Sequence, residues 1–199
     1  MVFRDAYQRK NLHWTFVNYE TVKLYKEGVG YLKSKGWDIK ALVCDGRRGL
    51  FKAFSRYHVQ MCHFHQCAII RRYLTQNPRL EANIELKELS SLLTSIDKSF
   101  WQNLLEKWYQ KWSDYLKEKT IDSVTGKWHY THRRLRSAYR SLKTKTPYLF
   151  TYQDYPELNI PNTTNSLDGS FNDLKSKLRN HAGLKDKMKI KLIKHFLAK

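Results

Sequence analysis

A short apolar run, Ile39-Lys40-Ala41-Leu42-Val43-Cys44, ends on Asp45 and is followed at once by Gly46-Arg47-Arg48-Gly49. A continuous stretch of Ile, Leu and Val of this length reads as a buried strand of a parallel sheet. Open α/β sheets bind ligands and metals in the crevice beyond the carboxyl ends of their strands, so a carboxylate there faces chemistry rather than core. The flanking glycines permit a sharp turn, and Arg47 and Arg48 put two cations beside Asp45.

The elements around this strand follow from pattern. Met1 to Ala6 and the alternating Leu12–Val17 are expected to form an antiparallel hairpin across the polar turn Gln8-Arg9-Lys10-Asn11. Val22, Tyr25, Val29 and Leu32 are spaced for an amphipathic helix over Glu20–Lys35, with Gly36 as its stop. A short helix over Leu50–Arg56 and a strand over His58–Cys62 complete an alternating α/β unit. From Gln66 to about Tyr148 the pattern reads as helices only, with Asn77-Pro78 between two of them. Phe100, Leu104, Trp108, Trp112 and Tyr115 make a long stripe that reads as core packing. Thr146-Pro147 and the stretch Tyr148–Pro161 read as an irregular connection. Two last helices are expected over Asn165–Ala182 and Asp186–Ala198.

Charge narrows the partner. The chain of 199 residues has 37 Lys and Arg against 18 Asp and Glu, a net +19. The excess is spread along the whole length, which excludes a basic tail on a neutral domain and suits a long contact with a phosphate backbone. Without an apolar h-region after Met1, or any apolar run near the roughly 18 residues of a span, the expected setting is cytoplasmic, nucleoid-associated through DNA, with no membrane contact. Three cysteines, Cys44, Cys62 and Cys67, argue against a disulfide framework there, and Cys67 is expected to be buried and inert.

Asp168 is a second acid to weigh. It stands in the first turn of a helix opened by Asn162-Thr163-Thr164-Asn165, beside the stripe Leu167, Phe171, Leu174 and Leu178. One reading makes it a ligand at the edge of the sheet. The other makes it the far half of a capping box with Asn165 as N-cap. Cys62-His63-Phe64-His65 closes the last strand. Cys62 and His65, with His129 and His132, allow a zinc reading whose spacing departs from that of a standard finger; packing and hydrogen bonding at the sheet edge is the commoner fate.

Three segments, Val43-Cys44-Asp45-Gly46-Arg47-Arg48-Gly49-Leu50, Gln60-Met61-Cys62-His63-Phe64-His65-Gln66 and Thr163-Thr164-Asn165-Ser166-Leu167-Asp168-Gly169-Ser170-Phe171, together resemble the core of a Mutator-type DDE transposase of bacterial insertion sequences. The resemblance runs in order over essentially the whole chain. It implies an α/β fold, a ribonuclease H-like mixed sheet interrupted by an all-helical insertion. The core would span residues 1–65 and 162–199, and the insertion 66–161. It also implies that Asp45 and Asp168 are the second and third acids of a catalytic triad and ligands of Mg2+, with Mn2+ as a substitute. The family usually has Glu at the last position, so Asp168 departs from it. Cys62 and His65 become a family pair of structural or near-site role. Arg47 and Arg48, with Lys175, Lys177 and Arg179 on the Asp168 helix, become DNA contacts.

Such enzymes cleave phosphodiesters and transfer strands by in-line displacement at two metal ions held by three carboxylates. The first acid should lie on a strand two strands and a helix ahead of Asp45. Only one strand and one helix fit between Asp5 and Asp45, so Asp5 is expected to end the second strand. The first strand and its acid are then expected upstream of Met1, leaving a sheet edge that invites oligomerisation. The functional expectation is a transposase catalytic-core fragment, inactive alone, that binds transposon ends and target as double-stranded DNA and forms homo-oligomers. The alternative is a non-catalytic DNA-binding remnant or a dominant-negative partner of full-length transposase.

Overall fold

The computed structural model describes residues 1–198. The fold is mixed α/β with a large helical share, and it divides into two compact units. The first takes in Met1–Leu42, Arg47–His58 and the stretch from Thr164 onward; the second takes in Val43–Gly46 and Val59–Thr163.

In the first unit, β1 (Val2–Arg4) and β2 (Asn11–Trp14) form the expected antiparallel hairpin, with a bulge at Phe3/Arg4. Asp5 closes its turn. One carboxylate oxygen of Asp5 accepts from the backbone N–H of Tyr7 and of Gln8, each at 2.7 Å, an Asx turn of the kind that Asp favours. Helix α1 (Val22–Ser34) starts on Thr21, whose hydroxyl accepts from Leu24 N–H, and stops at Gly36, which takes the positive φ that only glycine adopts without strain. Gly28 of α1 is buried because the Phe3 ring lies against it; a methyl group there would overlap that ring.

Strand β3 (Ala41–Cys44), helix α2 (Leu50–Ala53) and strand β4 (His58–Met61) follow. His58 N–H donates to Lys40 O at 3.4 Å and Cys62 N–H to Cys44 O at 2.8 Å. The partners advance together along both strands, so the pair is parallel. One continuous mixed sheet is not formed among the described residues: they hold three separate two-stranded sheets.

Helices α3 (His63–Leu74), α4 (Glu81–Ser91) and α5 (Lys98–Lys117) build the second unit's core, split where Asn77-Pro78 predicts. The buried face of α5 differs from the expected stripe. Phe100 is 53% exposed whereas Trp101 is 0% exposed, and the buried positions are Trp101, Leu105, Trp108 and Leu116. Helix α4 decides this, because the indole N–H of Trp101 donates to Leu89 O and that of Trp108 to Ala82 O, both at 3.2 Å. Buried indoles need such acceptors.

The stretch expected to be all-helical also holds an antiparallel hairpin, β5 (Lys119–Ile121) and β6 (Trp128–Tyr130). Its loop is stapled by Asp122, which accepts from the backbone N–H of Val124 at 2.9 Å and Thr125 at 2.8 Å, and turned by Gly126 at positive φ. Helix α6 (Arg133–Leu149) runs two residues past Pro147, so the expected break at Thr146-Pro147 does not occur. The missing N–H of Pro147 falls in the last turn, where it removes one bond at the helix end. A short α7 (Thr151–Asp154) and a 3-10 turn (Pro156–Leu158) follow. Helices α8 (Asn165–Asn180) and α9 (Asp186–Leu197) return to the first unit, where Arg4 Nε donates to Ser166 Oγ at 3.2 Å and Asn11 Nδ2 to Leu197 O at 3.1 Å. No described helix is long and apolar enough to cross a membrane.

Truncation distinguishes the two faces of α5. Trp101→Ala should cost about 3–5 kcal/mol in urea unfolding, whereas Phe100→Ala should stay within about 0.5 kcal/mol, as surface changes do. Equal losses would contradict the orientation of the helix.

Candidate functional site

Asp45 follows the last residue of β3, at the carboxyl end of a parallel pair, the location expected from the sequence. It is half-buried. Gly46 takes φ 80 and Gly49 φ 90, so the Gly-Arg-Arg-Gly turn uses both glycines in the left-handed region. A residue not singled out by its sequence reaches this edge: Lys145 of α6, whose Nζ donates to Gly46 O at 3.4 Å. Burial lowers the pKa of Lys145, against the opposing pull of Cys44 and Asp45. Burial also raises the Cys44 thiol to about 11, with Asp45 pushing the same way and Lys145 against it. The edge is thus a partly desolvated patch holding a carboxylate, an ammonium and a neutral thiol.

Parts of the first two motif segments, and the residue just ahead of the third, are joined in the second unit. Cys62 N–H donates to Cys44 O at 2.8 Å, and the next residue, His63, donates its N–H to Asn162 O at 2.9 Å. Residues from positions 44, 62–63 and 162 are therefore strung on consecutive backbone hydrogen bonds. Cys62 is fully buried and precedes the first turn of α3. The fully buried histidine of this motif is His63; His65 is half-buried, with its ring edge-on to Phe64. His63 Nε2 lies 2.6 Å from Leu149 O. A carbonyl only accepts, so Nε2 carries the proton there and Nδ1 is left with a lone pair and no hydrogen-bond partner. Burial lowers the His63 pKa, which keeps the ring neutral. Gln60, also fully buried, donates from Nε2 to the same Leu149 O at 2.8 Å and accepts from Tyr152 N–H at 3.0 Å.

Asp168 belongs to the first unit. Thr164, not Asn165, precedes the first residue of α8, and its hydroxyl donates to Asp168 Oδ2 at 2.9 Å, while Asp168 N–H donates to Thr164 O at 3.0 Å. This replaces the expected capping box: the Asp168 carboxylate bonds a side-chain hydroxyl at the helix start, and Arg4 from β1 holds the same turn through Ser166.

Asp45 and Asp168 thus fall in different units, and Asp5 spends a carboxylate oxygen on its own turn. Among the described residues no three His, Cys, Asp or Glu side chains cluster as ligands. Within either unit, the residues do not fit a two-metal site, nor the zinc reading. His132 in particular is engaged elsewhere, stacked on Tyr115 at 3.6 Å and 2.8 Å from Glu118.

The expected DNA contacts differ in availability. Arg47 is held by Glu20, at 3.0 Å to its carbonyl and 3.2 Å to its carboxylate, and Lys177 pairs with Asp173 at 2.9 Å. Arg48, Lys175 and Arg179 are exposed and form no ion pair among the described residues. Cys67 is half-buried, its Sγ 3.1 Å from Ser90 O and its pKa raised by burial, which fits the expected inert role.

Comparison with protein-family models, with curated proteins and with solved structures finds no match.

The Cys44 environment makes a pH prediction. A thiol at about 11 in place of 9.0 carries about a hundredfold less thiolate near neutrality. Mass-spectrometric alkylation kinetics on the folded chain should show Cys44 protected until pH approaches 11. Because the folded pKa is the higher one, the stability tied to this thiol is complete below pH 9 and falls as pH rises toward 11. Rapid labelling of Cys44 at pH 8 would contradict the burial of this edge.

Proposed function

We propose that the chain is the catalytic-core segment of a Mutator-type DDE transposase on a ribonuclease H-like plan, one that grips double-stranded DNA but does not complete the phosphodiester chemistry with its own residues. The observation that carries this reading is the pair of backbone bonds joining Cys44 to Cys62 and His63 to Asn162. Cys44, Cys62–His63 and Asn162, the residue just ahead of the third resembling segment, lie on consecutive backbone hydrogen bonds, and Asp45 follows Cys44 at the carboxyl end of a parallel pair. The charge of +19 supports the polyanionic partner.

The turn that holds Asp5, whose carboxylate accepts from the Tyr7 and Gln8 N–H groups, supports the second half of the proposal. It also favours the neighbouring reading, a DNA-binding protein of transposase descent that acts on full-length transposase through mixed oligomers. Two-stranded sheets offer edges for such pairing, and the homo-oligomer belongs to the proposal on that ground.

Fluorescence anisotropy with a labelled duplex tests the partner. The logarithm of the affinity should fall linearly with the logarithm of salt, by about 0.9 per phosphate contacted; a flat dependence removes nucleic acid from the reading. Supercoiled plasmid incubated with Mg2+ or Mn2+ tests the chemistry. The chain alone should bind and leave the plasmid intact, and Asp45→Asn or Asp168→Asn should bind as tightly as the parent. Metal-dependent nicking lost in both variants would establish a complete enzyme instead.

A further inference from the structure

The hairpin β5–β6 is the most unusual surface of the second unit, and none of the motifs makes use of it. Register pairs Lys119 with Tyr130 and Ile121 with Trp128, so these four side chains share one face of the ribbon. That face is wet: Ile121 is 70% exposed and Trp128 is 56% exposed. It is also cationic. Lys119 Nζ sits 4.1 Å from the Trp128 ring centre, and the Arg136 guanidinium sits 3.5 Å from that of Tyr130.

Residues 117–140 hold seven Lys and Arg against two Asp and Glu. Both acids are engaged locally, Glu118 with His132 and Asp122 with the backbone of its own loop. Lys127, Arg133, Arg134 and Arg140 are exposed, and none forms an ion pair among the described residues. The start of α6 adds a local conflict. Its first four residues are Arg133, Arg134, Leu135 and Arg136, with no acid in that turn. Cations there face the positive end of the helix dipole, an arrangement the isolated fold disfavours and a bound anion would relieve.

We infer that the β5–β6 hairpin and the first turn of α6 form a clasp for the backbone of double-stranded DNA. A two-stranded ribbon is narrow enough to enter a major groove. The cations beside it match the phosphates on either wall, and the Ile121–Trp128 face suits sugar and base edges. This rests on the DNA partner proposed above and gives that partner a surface outside Asp45 and Asp168.

Anisotropy with one labelled duplex and its single strand tests the clasp, using the full chain at about 0.1 M salt. The triple variant Lys127→Ala, Arg133→Ala, Arg134→Ala should weaken duplex binding about tenfold or more and make the salt slope shallower by about 2 to 3. A triple of equal charge on α1, Lys23→Ala, Lys26→Ala, Lys33→Ala, should lose clearly less. Ser123→Lys, in the exposed loop, should tighten binding and steepen the slope by about one; this gain of function is informative even if the triple variant folds poorly. Equal losses in the two triples together with no gain from Ser123→Lys overturn the clasp while leaving DNA binding intact. A loss confined to the single strand overturns the duplex assignment. Failure of the unaltered chain to bind duplex brings down the DNA reading itself, and the clasp with it.

Discussion

The carbonyl of Leu149 is the point on which the second unit turns. The last carbonyls of any helix lack intrahelical donors, and a buried one without a partner costs as much as a lost hydrogen bond. At the end of α6 two buried side chains meet this need, Gln60 of β4 and His63 of α3, while Thr151 Oγ1 donates back to Val59 O at 2.7 Å. The helix end, the last strand and the motif histidine are thereby fixed as one buried polar group. Apolar residues at both 60 and 63 would fill the space and leave the carbonyl bare. This accounts for the 0% exposure of both Gln60 and His63.

From that anchor α6 reaches Asp45. Lys145 stands one turn before Leu149 and is carried to the Gly46 carbonyl, where burial works against its charge and Asp45 works for it. The cost of taking an ammonium partly out of water is offset here by a carboxylate and a carbonyl oxygen. The edge of β3 is therefore a charge-balanced patch, not a lone acid in a crevice. A ligand binding at Asp45 has to displace or include Lys145, which any account of chemistry at this edge must accommodate.

How much of this was legible in the sequence follows from where the deciding forces act. The first hairpin, α1, β3, β4 and the last two helices were readable because local sequence marks their limits, as the polar turn around Gln8–Asn11 and the Gly36 stop do. The buried face of α5 was not. Its sequence carries apolar side chains at both 100–104–108 and 101–105–108, and only the carbonyls of α4 choose between them. Hairpin β5–β6 was hidden because its strands are three residues each and look polar; its one local signal is Asp122 four residues before Gly126. Pro147 misled because the one bond it removes near the end of a 17-residue helix is outweighed by the burial of Leu142, Thr146 and Leu149. At the site, Asp45 stood where its strand pattern put it, whereas His63 was passed over for His65. Burial separates adjacent histidines, and Lys145 lies a hundred residues from the edge it serves.

One helix joins the two charged regions of the second unit. Arg133 and Lys145 are both on α6, twelve residues apart, which at 1.5 Å per residue is about 18 Å. Its carboxyl end is tied into the core through Leu149, so its amino end cannot shift without disturbing β4 and the Cys62–His63 segment. Duplex DNA rises about 3.4 Å per base along each strand, so under the proposed clasp a backbone held at the first turn of α6 would lie roughly five base steps from one held beside Asp45. On the proposed DNA-bound reading, rigid spacing of this kind would set where along the duplex the Asp45 edge falls. Loosening the Leu149 bracket would act on that spacing without removing a single cation.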